Sequence, residues 1–449
     1  MSLFAKLQQR AASDQPVKVG VIGAGKFGTM FLSQAIRLPG IHIVGIADLM
    51  PETAKSNLAN AGWQEAQYSA PSLKQAASDG NTYIMQDAFA LAQSADIEII
   101  VEATGNPVVA VDHILAAFEA GKHVVSATVE ADALCGAALA KRAREAGVIY
   151  SMAYGDQPAM ICDLVDWART CGFEVAAAGR GHKWKPEYRL STPDTVWDHW
   201  GLTREQAERG RLNPKMFNSF LDGTKPAIES SAVANACGLH VPTNGLIYPS
   251  GSIDNIPSLM RPEKEGGVLE KSGMVEVISS VADDGSLYDY DIRMGVFVCV
   301  EAVTDYQRHC FEEYKVTTDP SGKYMCLYKR WHLIGLELGM SVAQVALRGE
   351  STGTCSEFRG DVVAVAKRNL AAGDRLDGEG GYTVAGQLRP ADISVKNNML
   401  PLGLASDIKV VRPVAVDQVL TYADVEVDTS LTAYRLRKEV EQLARNNEA

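Results

Sequence analysis

From residue 17 to about residue 152, short apolar runs alternate with amphipathic stretches of helical period, the signature of a doubly wound parallel sheet. Residues 97–101 read as a strand, which runs through Glu102-Ala-Thr104-Gly105-Asn106-Pro107 into an alanine-rich helix stopped by Gly121. A strand at 123–126, a helix at 134–146 closed by Gly147 and a strand at 148–153 continue the alternation. Between 61 and 87 the chain is longer than a plain βαβ unit needs, and it holds Trp63, Tyr68 and Tyr83. After the strand at 148–153 comes Tyr154-Gly155-Asp156-Gln157-Pro158, with proline placed to start a helix.

The pattern then changes. Residues 173–328 mix strands with loops and a helix, whereas 331–347 return to helical periodicity with Leu333, Ile334, Leu336 and Val345 on one side. Short β-branched runs at 362–365, 408–411 and 424–427, punctuated by Gly373, Gly380-Gly381 and Gly403, predict an all-β module, and 432–445 read as a charged helix, solvated or at an oligomer edge. The expected organisation is an α/β chain with a first domain over 1–153 and an α+β substrate domain over 154–330. A helix at 331–360 returns to the first domain, and a small β domain (361–430) and a helical tail (431–449) follow.

Within the first domain, Val19-Gly20-Val21-Ile22-Gly23-Ala24-Gly25-Lys26-Phe27-Gly28 is a strand running into a glycine-punctuated turn that opens a helix. Gly23 permits the tight turn, Gly25 lets backbone approach a pyrophosphate, and Gly28 lets helix and strand lie close. The helix N-terminus faces the anion, with Lys26 and Phe27 in its first turn. The second strand ends on Asp48, about twenty residues beyond the turn, where a carboxylate accepts hydrogen bonds from an adenosine ribose. These features predict a Rossmann domain for a nicotinamide dinucleotide. Ligands sit beyond the carboxyl ends of such strands, so Thr104, Gly105, Thr128 and the turn holding Tyr154 and Asp156 are expected to border the nicotinamide.

Composition narrows the class. The chain has 449 residues, 46% hydrophobic and 22% charged, enough for two or three soluble domains, and no apolar run long enough to span a bilayer. The first fifteen residues lack the basic start and apolar core of a secretory signal, so a cytoplasmic protein is expected. Eight cysteines with no C-x-x-C spacing fit neither zinc nor a disulfide framework, and a net charge of −12 disfavours nucleic acid.

Against that charge three clusters stand out. Arg180-Gly-His182-Lys183-Trp184-Lys185, with Arg189, follows a strand and reads either as an anion site or as a solvated basic loop. In Asp222-Gly-Thr-Lys225-Pro-Ala-Ile-Glu229, at the start of a helix rich in small residues, Lys225 and Glu229 could form a proton-transfer pair, Asp222 and Glu229 could meet a divalent cation, or the acids could simply form a helix-start salt bridge. Tyr328-Lys-Arg330-Trp-His332 sets cations where a helix dipole prefers acids; an anionic ligand would resolve this, and so would a purely structural contact.

On these residues, with Val101-Glu-Ala-Thr-Gly105, His332-Leu-Ile-Gly-Leu-Glu337, Leu400-Pro-Leu-Gly403 and Val411-Arg-Pro-Val-Ala-Val416, the chain resembles the homoserine dehydrogenase-like oxidoreductases with a C-terminal SAF-type domain. Within that group it is similar to the 1-deoxy-D-xylulose 5-phosphate reductoisomerase-like enzymes. Where homoserine dehydrogenases carry Thr-Ala-Asn-Lys, this chain has Ser126-Ala127-Thr128-Val129-Glu130, without the lysine. The resemblance implies NADPH-dependent conversion of 1-deoxy-D-xylulose 5-phosphate to 2-C-methyl-D-erythritol 4-phosphate in isoprenoid precursor biosynthesis, assisted by Mg²⁺ or Mn²⁺. It casts Lys225, Asp222, Glu229 and Asp156 as catalytic, with Asp156 and Glu229 as metal ligands. Tyr154, Arg180, Lys183, Lys185 and Arg330 would hold the phosphorylated sugar, in a dimer or tetramer. Asp48 by itself favours NADH, since it would repel a 2′-phosphate. The alternatives are a homoserine dehydrogenase-like oxidoreductase of a small semialdehyde or hydroxy acid, and a non-catalytic dinucleotide sensor.

Overall fold

The computed structural model describes residues 1–210 and 212–447. The chain divides into two compact units, one made of 1–160 with 333–356, the other of 161–332 with the chain from Glu357 onward.

The first unit is built on a parallel sheet of β1 (Val17–Ile22), β2 (Ile41–Ala47), β3 (Tyr83–Met85), β4 (Ile99–Glu102), β5 (His123–Ser126) and β6 (Tyr150–Met152), in the order β3-β2-β1-β4-β5-β6. Val19, Val21, Ile99 and Val101 are fully buried. That is why the central strands read as continuous Val and Ile runs and not as alternating ones. β1 leads through the glycine turn into α1 (Lys26–Ala35), and β5 into α2 (Val129–Glu145). The long stretch after Ala61 is part of this sheet: it holds a helix, Leu73–Asp79, and then β3, the edge strand beside β2. Trp63 lies under it, its indole N–H donating to the Leu32 carbonyl at 3.0 Å.

Residues 333–356 return to this unit, but the helix expected from Trp331 begins only at Gly339 and runs to Arg348. Gly335 sits at φ +73°, and a Cβ there would lie 2.7 Å from the Met30 Cβ, so the chain makes a left-handed turn where the periodicity suggested a helix. Leu338, Val342 and Val345 then join Phe31 and Leu32 in the core. Arg330, Trp331 and His332 therefore do not open a helix, and the conflict with a helix dipole does not arise.

In the second unit β7 (Glu174–His182), β8 (Met274–Ser279), β9 (Val296–Glu301) and β10 (Tyr324–Lys329) form a mixed sheet in the order β10-β9-β7-β8. The helix α3 (Gln157–Thr170) runs into this unit from the first, and α4 (Thr224–Cys237) crosses its centre. α4 packs on β7 and β8 and also on the antiparallel pair β11 (Gly360–Ala366) and β13 (Val384–Pro390). Small side chains on every face allow this: Ala227, Ser231, Ala232 and Ala234 are buried, and a helix buried all round shows no amphipathic stripe. Polar atoms on it are matched across the contact. Ser231 Oγ donates to the Gly360 carbonyl at 2.8 Å, and Thr224 Oγ1 accepts from the Gly386 N–H at 2.7 Å.

β12 (Arg375–Asp377), β14 (Ser406–Val410) and β15 (Val425–Glu426) form a further small antiparallel sheet. The terminal helix Thr432–Asn447, expected to be solvated or at an oligomer edge, is docked within this unit. The buried Arg437 guanidinium reaches both Asp361 oxygens at 2.8 and 2.6 Å and Glu441 at 3.0 Å.

Candidate functional site

In the first unit the glycine turn has the shape its sequence implies. Gly23 adopts φ +94°, and a Cβ there would lie 2.6 Å from the Ala103 carbonyl oxygen. A Cβ on Gly28 would come within 2.1 Å of the Gly23 oxygen, while one on Gly25 would meet nothing within 4 Å. Gly23 and Gly28 are thus required by the fold, whereas the space over Gly25 lies open beside the first-turn N–H groups of α1, which have no partner within the helix. This cradle fits a pyrophosphate. Lys26 is exposed at its rim, and the Phe27 side chain packs against the core, leaving its backbone as its contribution.

Asp48 shapes the same turn. One carboxylate oxygen accepts from the Ala24 N–H and the other from the Met50 N–H, both at 2.8 Å. Thr104, Gly105 and Thr128 meet at the fully buried Glu102, to which the sequence reading gave no role of its own. Glu102 accepts from the Thr104 hydroxyl at 2.6 Å and from the Thr128 hydroxyl, which in turn accepts from the Gly105 N–H at 3.0 Å. Tyr154 and Asp156 belong to this unit too. Tyr154 N–H donates to Ser341 Oγ at 2.8 Å, and buried Asp156 accepts from the Gln157 N–H at 2.9 Å, at the start of α3.

The second unit holds a buried charge network around the start of α4. Arg180, on β7, is ion-paired with Glu229, both side chains almost fully buried. Asp222 accepts from the Lys367 ammonium at 2.9 Å and from the Thr224 N–H at 3.0 Å. Burial pushes the Asp222 carboxyl up, against the pull of Lys367. Lys225 is half-buried in the first turn of α4. Beside them, buried Glu276 accepts N–H bonds from Ile247, Tyr248 and Val277 at 3.1, 3.3 and 2.8 Å, and burial pushes its carboxyl up to about 7. Tyr248 has φ +55°, an outlier for an aromatic residue; its ring stacks on Trp184 at 4.2 Å and its hydroxyl donates to the Gly223 carbonyl at 3.3 Å. His182, pushed down to about 3 by burial and by Arg180, contacts the Phe220 carbonyl at 2.6 Å.

Three sequence expectations change here. Glu229 is engaged by Arg180, a buried ion pair in place of the expected Lys225–Glu229 pair and of an Arg180 side chain open to an anion. A metal at Asp156 and Glu229 finds no support: Asp156 accepts from the Gln157 N–H at the start of α3, Glu229 is ion-paired with Arg180, and no group of three metal-ligating side chains occurs among the described residues. The basic run does not point one way either. Lys183 donates to the His199 carbonyl at 2.7 Å, Lys185 lies 3.8 Å from Glu187, and Arg330 donates to the Asp289 carbonyl at 3.0 Å. Lys183 still carries the mark of crowded cations, its ammonium pushed down by burial and then by Arg293 and Lys185.

A glycine cradle at the end of a parallel sheet, joined in one chain to a buried charge network, defines the class: a dinucleotide-binding oxidoreductase fold. Residues 19–152 match the family model for the NAD binding domain of homoserine dehydrogenase, and residues 155–338 match that for the catalytic domain of oxidoreductase DRL. The chain is thus similar to a homoserine dehydrogenase-type NAD-binding domain over 19–152 and to a DRL-type catalytic domain over 155–338, in line with that part of the resemblance read from its sequence. A homoserine dehydrogenase from Pseudomonas aeruginosa is 31% identical over 137 residues, 30% of this chain and 28% of that one. Among solved structures, Synechocystis biliverdin reductase in complex with biliverdin and NADP+ is 19% identical with a TM-score of 0.27, covering 38% of this chain and 48% of that one. Scyllo-inositol dehydrogenase from Lactobacillus casei is 15% identical with a TM-score of 0.26, covering 37% and 46%. The chain thus spans less than half the length of each of these relatives. No helix among the described residues is long and apolar enough to cross a membrane.

Proposed function

We propose that the protein is an NADPH-dependent reductoisomerase that converts 1-deoxy-D-xylulose 5-phosphate to 2-C-methyl-D-erythritol 4-phosphate. The observation that carries this reading is the DRL catalytic-domain match, which spans Arg180, Asp222, Lys225, Glu229, Tyr248 and Glu276. The bound nicotinamide supplies the hydride. The turn from Gly23 to Gly28 holds its pyrophosphate, Asp48 its adenosine ribose, and the Thr104–Gly105–Thr128 edge lies where ligands of such sheets bind. Lys225 places a positive charge where an oxyanion develops, and Asp222, already tied to Lys367, keeps the first turn of α4 in place. The crowding of half-buried Lys183 by Arg293 and Lys185 supports this region as the place for the substrate phosphate, because an anion there would relieve the repulsion. The test is purified protein with this substrate and NADPH, with Mg²⁺ or Mn²⁺ and with a chelator, read by loss of nicotinamide absorbance and by the mass of the product. No cofactor oxidation in any arm rejects the substrate.

A second reading, an NAD(P)-dependent oxidoreductase of a small semialdehyde or hydroxy acid, is favoured by the homoserine dehydrogenase-type match. It predicts turnover of such a substrate that neither a chelator nor a phosphonate analogue of the sugar reduces.

A further inference from the structure

The cysteines show no paired spacing in the sequence, yet the fold brings two of them together. Cys162 and Cys237 are 75 positions apart in the chain, and their Sγ atoms lie 3.5 Å from one another. Cys162 is on α3; Cys237 is the last residue of α4, just before Gly238 closes that helix at φ +65°. Arg169 lies two turns beyond Cys162 on the same face of α3, and its Nη1 donates to the Cys237 carbonyl at 2.7 Å. That bond holds the end of α4 against α3, so the two sulfur atoms meet in a fixed arrangement. Cys237 is buried and Cys162 only half-buried, so an oxidant can reach the pair from one side.

We infer that Cys162 and Cys237 form a redox modification site, at which a hydroperoxide converts the two thiols into an intrachain disulfide joining α3 to α4. The Cys162 thiolate attacks one peroxide oxygen; the O–O bond breaks, Cys162 becomes a sulfenic acid, and the other oxygen leaves with a proton as water or alcohol. The Cys237 thiolate then attacks the Cys162 sulfur, the S–S bond forms, and the sulfenic oxygen leaves as water. Two thiols lose two hydrogens and two electrons in all, and the peroxide gains them. Closing the bond moves the sulfur atoms about 1.5 Å nearer, within the reach of small χ adjustments.

The second unit contains its own control. Cys299 and Cys326 face one another across β9 and β10, but burial holds both thiols well above the usual range, which leaves little thiolate to oxidise.

The test uses the full-length protein treated with a few equivalents of hydrogen peroxide at neutral pH. It is then denatured with N-ethylmaleimide, digested without reduction and mapped by mass spectrometry. The expected result is one dominant crosslinked peptide pair, Cys162 with Cys237, which dithiothreitol returns to two separate peptides, while Cys299 and Cys326 are recovered alkylated. In Cys237→Ser, Cys162 is expected as a sulfenic acid trapped by dimedone. Recovery of Cys162 and Cys237 unlinked from the oxidised wild type, or disulfides spread evenly over several cysteine pairs, overturns the assignment.

Discussion

Asp222 and Glu229 stand on one helix start, yet each is bound to a different buried cation, and substitutions there should separate stability from turnover. Glu229→Ala removes the buried ion pair with Arg180 and should cost about 3–5 kcal/mol, seen as a lower midpoint in chemical denaturation. Lys225→Ala should lower kcat by about a hundredfold, with dinucleotide affinity intact. Loss of affinity in place of turnover would remove Lys225 from its proposed role. At Asp48 the carboxylate disfavours a 2′-phosphate, so Asp48→Ala should raise kcat/KM for NADPH relative to NADH by about tenfold, or 1.4 kcal/mol. Glu276 carries a pH signature. Its carboxyl titrates near 7 in the fold against an ordinary 4.5, so from pH 4.5 up to 7 the native state holds a proton the unfolded chain has lost, and stability falls as pH rises through that window. His182, held at about 3 against an ordinary 6.5, acts in the opposite sense: stability falls as pH drops below 6.5. The two oppose each other in the wild type, so the test is the difference: Glu276→Gln should fall off more steeply than wild type on acidification from pH 7 to 5, by denaturation midpoints.

At the scale of elements, the glycine turn separates what the backbone needs from what the ligand needs. Gly28→Ala forces a Cβ onto the Gly23 oxygen and should lower the melting temperature, whereas Gly25→Ala meets no atom and should leave the melting temperature intact while weakening dinucleotide binding about tenfold or more. Equal thermal loss in both would mean the turn is only structural. This turn was legible because strand, glycines, helix and Asp48 lie within one stretch, and their roles follow from local steric rules. The charge network was legible only on one side. Asp222, Glu229 and Arg180 stood out by type, but Lys367 comes from 145 residues further on, and no local pattern announces such a partner. Tyr248 and Glu276 left no signal either, because one depends on a positive φ and the other on three backbone N–H groups of neighbouring segments. The helix expected from Trp331 failed for a related reason: its apolar spacing continues through Gly335, where close approach to Met30 demands a turn.

For the whole molecule, the division into two units predicts where a ligand's effect should appear. Dinucleotide added without substrate should protect amides against hydrogen exchange mainly within 1–160 and 333–356, with up to about 2.7 kcal/mol of added stability at a hundred times Kd. Equal protection across 161–332 would show that the cradle does not bind by itself. The parallel sheet was readable as a fold class from its alternating pattern; the assignment of 333–356 to it was readable only as helical periodicity, because its partners lie some three hundred positions earlier. That return has a bearing on how the molecule is made. Leu338, Val342 and Val345 complete a hydrophobic interior begun by Phe31 and Leu32, so a nascent chain carries its amino-terminal half-built while the ribosome translates the intervening unit. Until residue 345 has emerged, the apolar surface meant for these side chains stays open to water and to chaperones, which makes the early fragment the aggregation-prone species of biosynthesis.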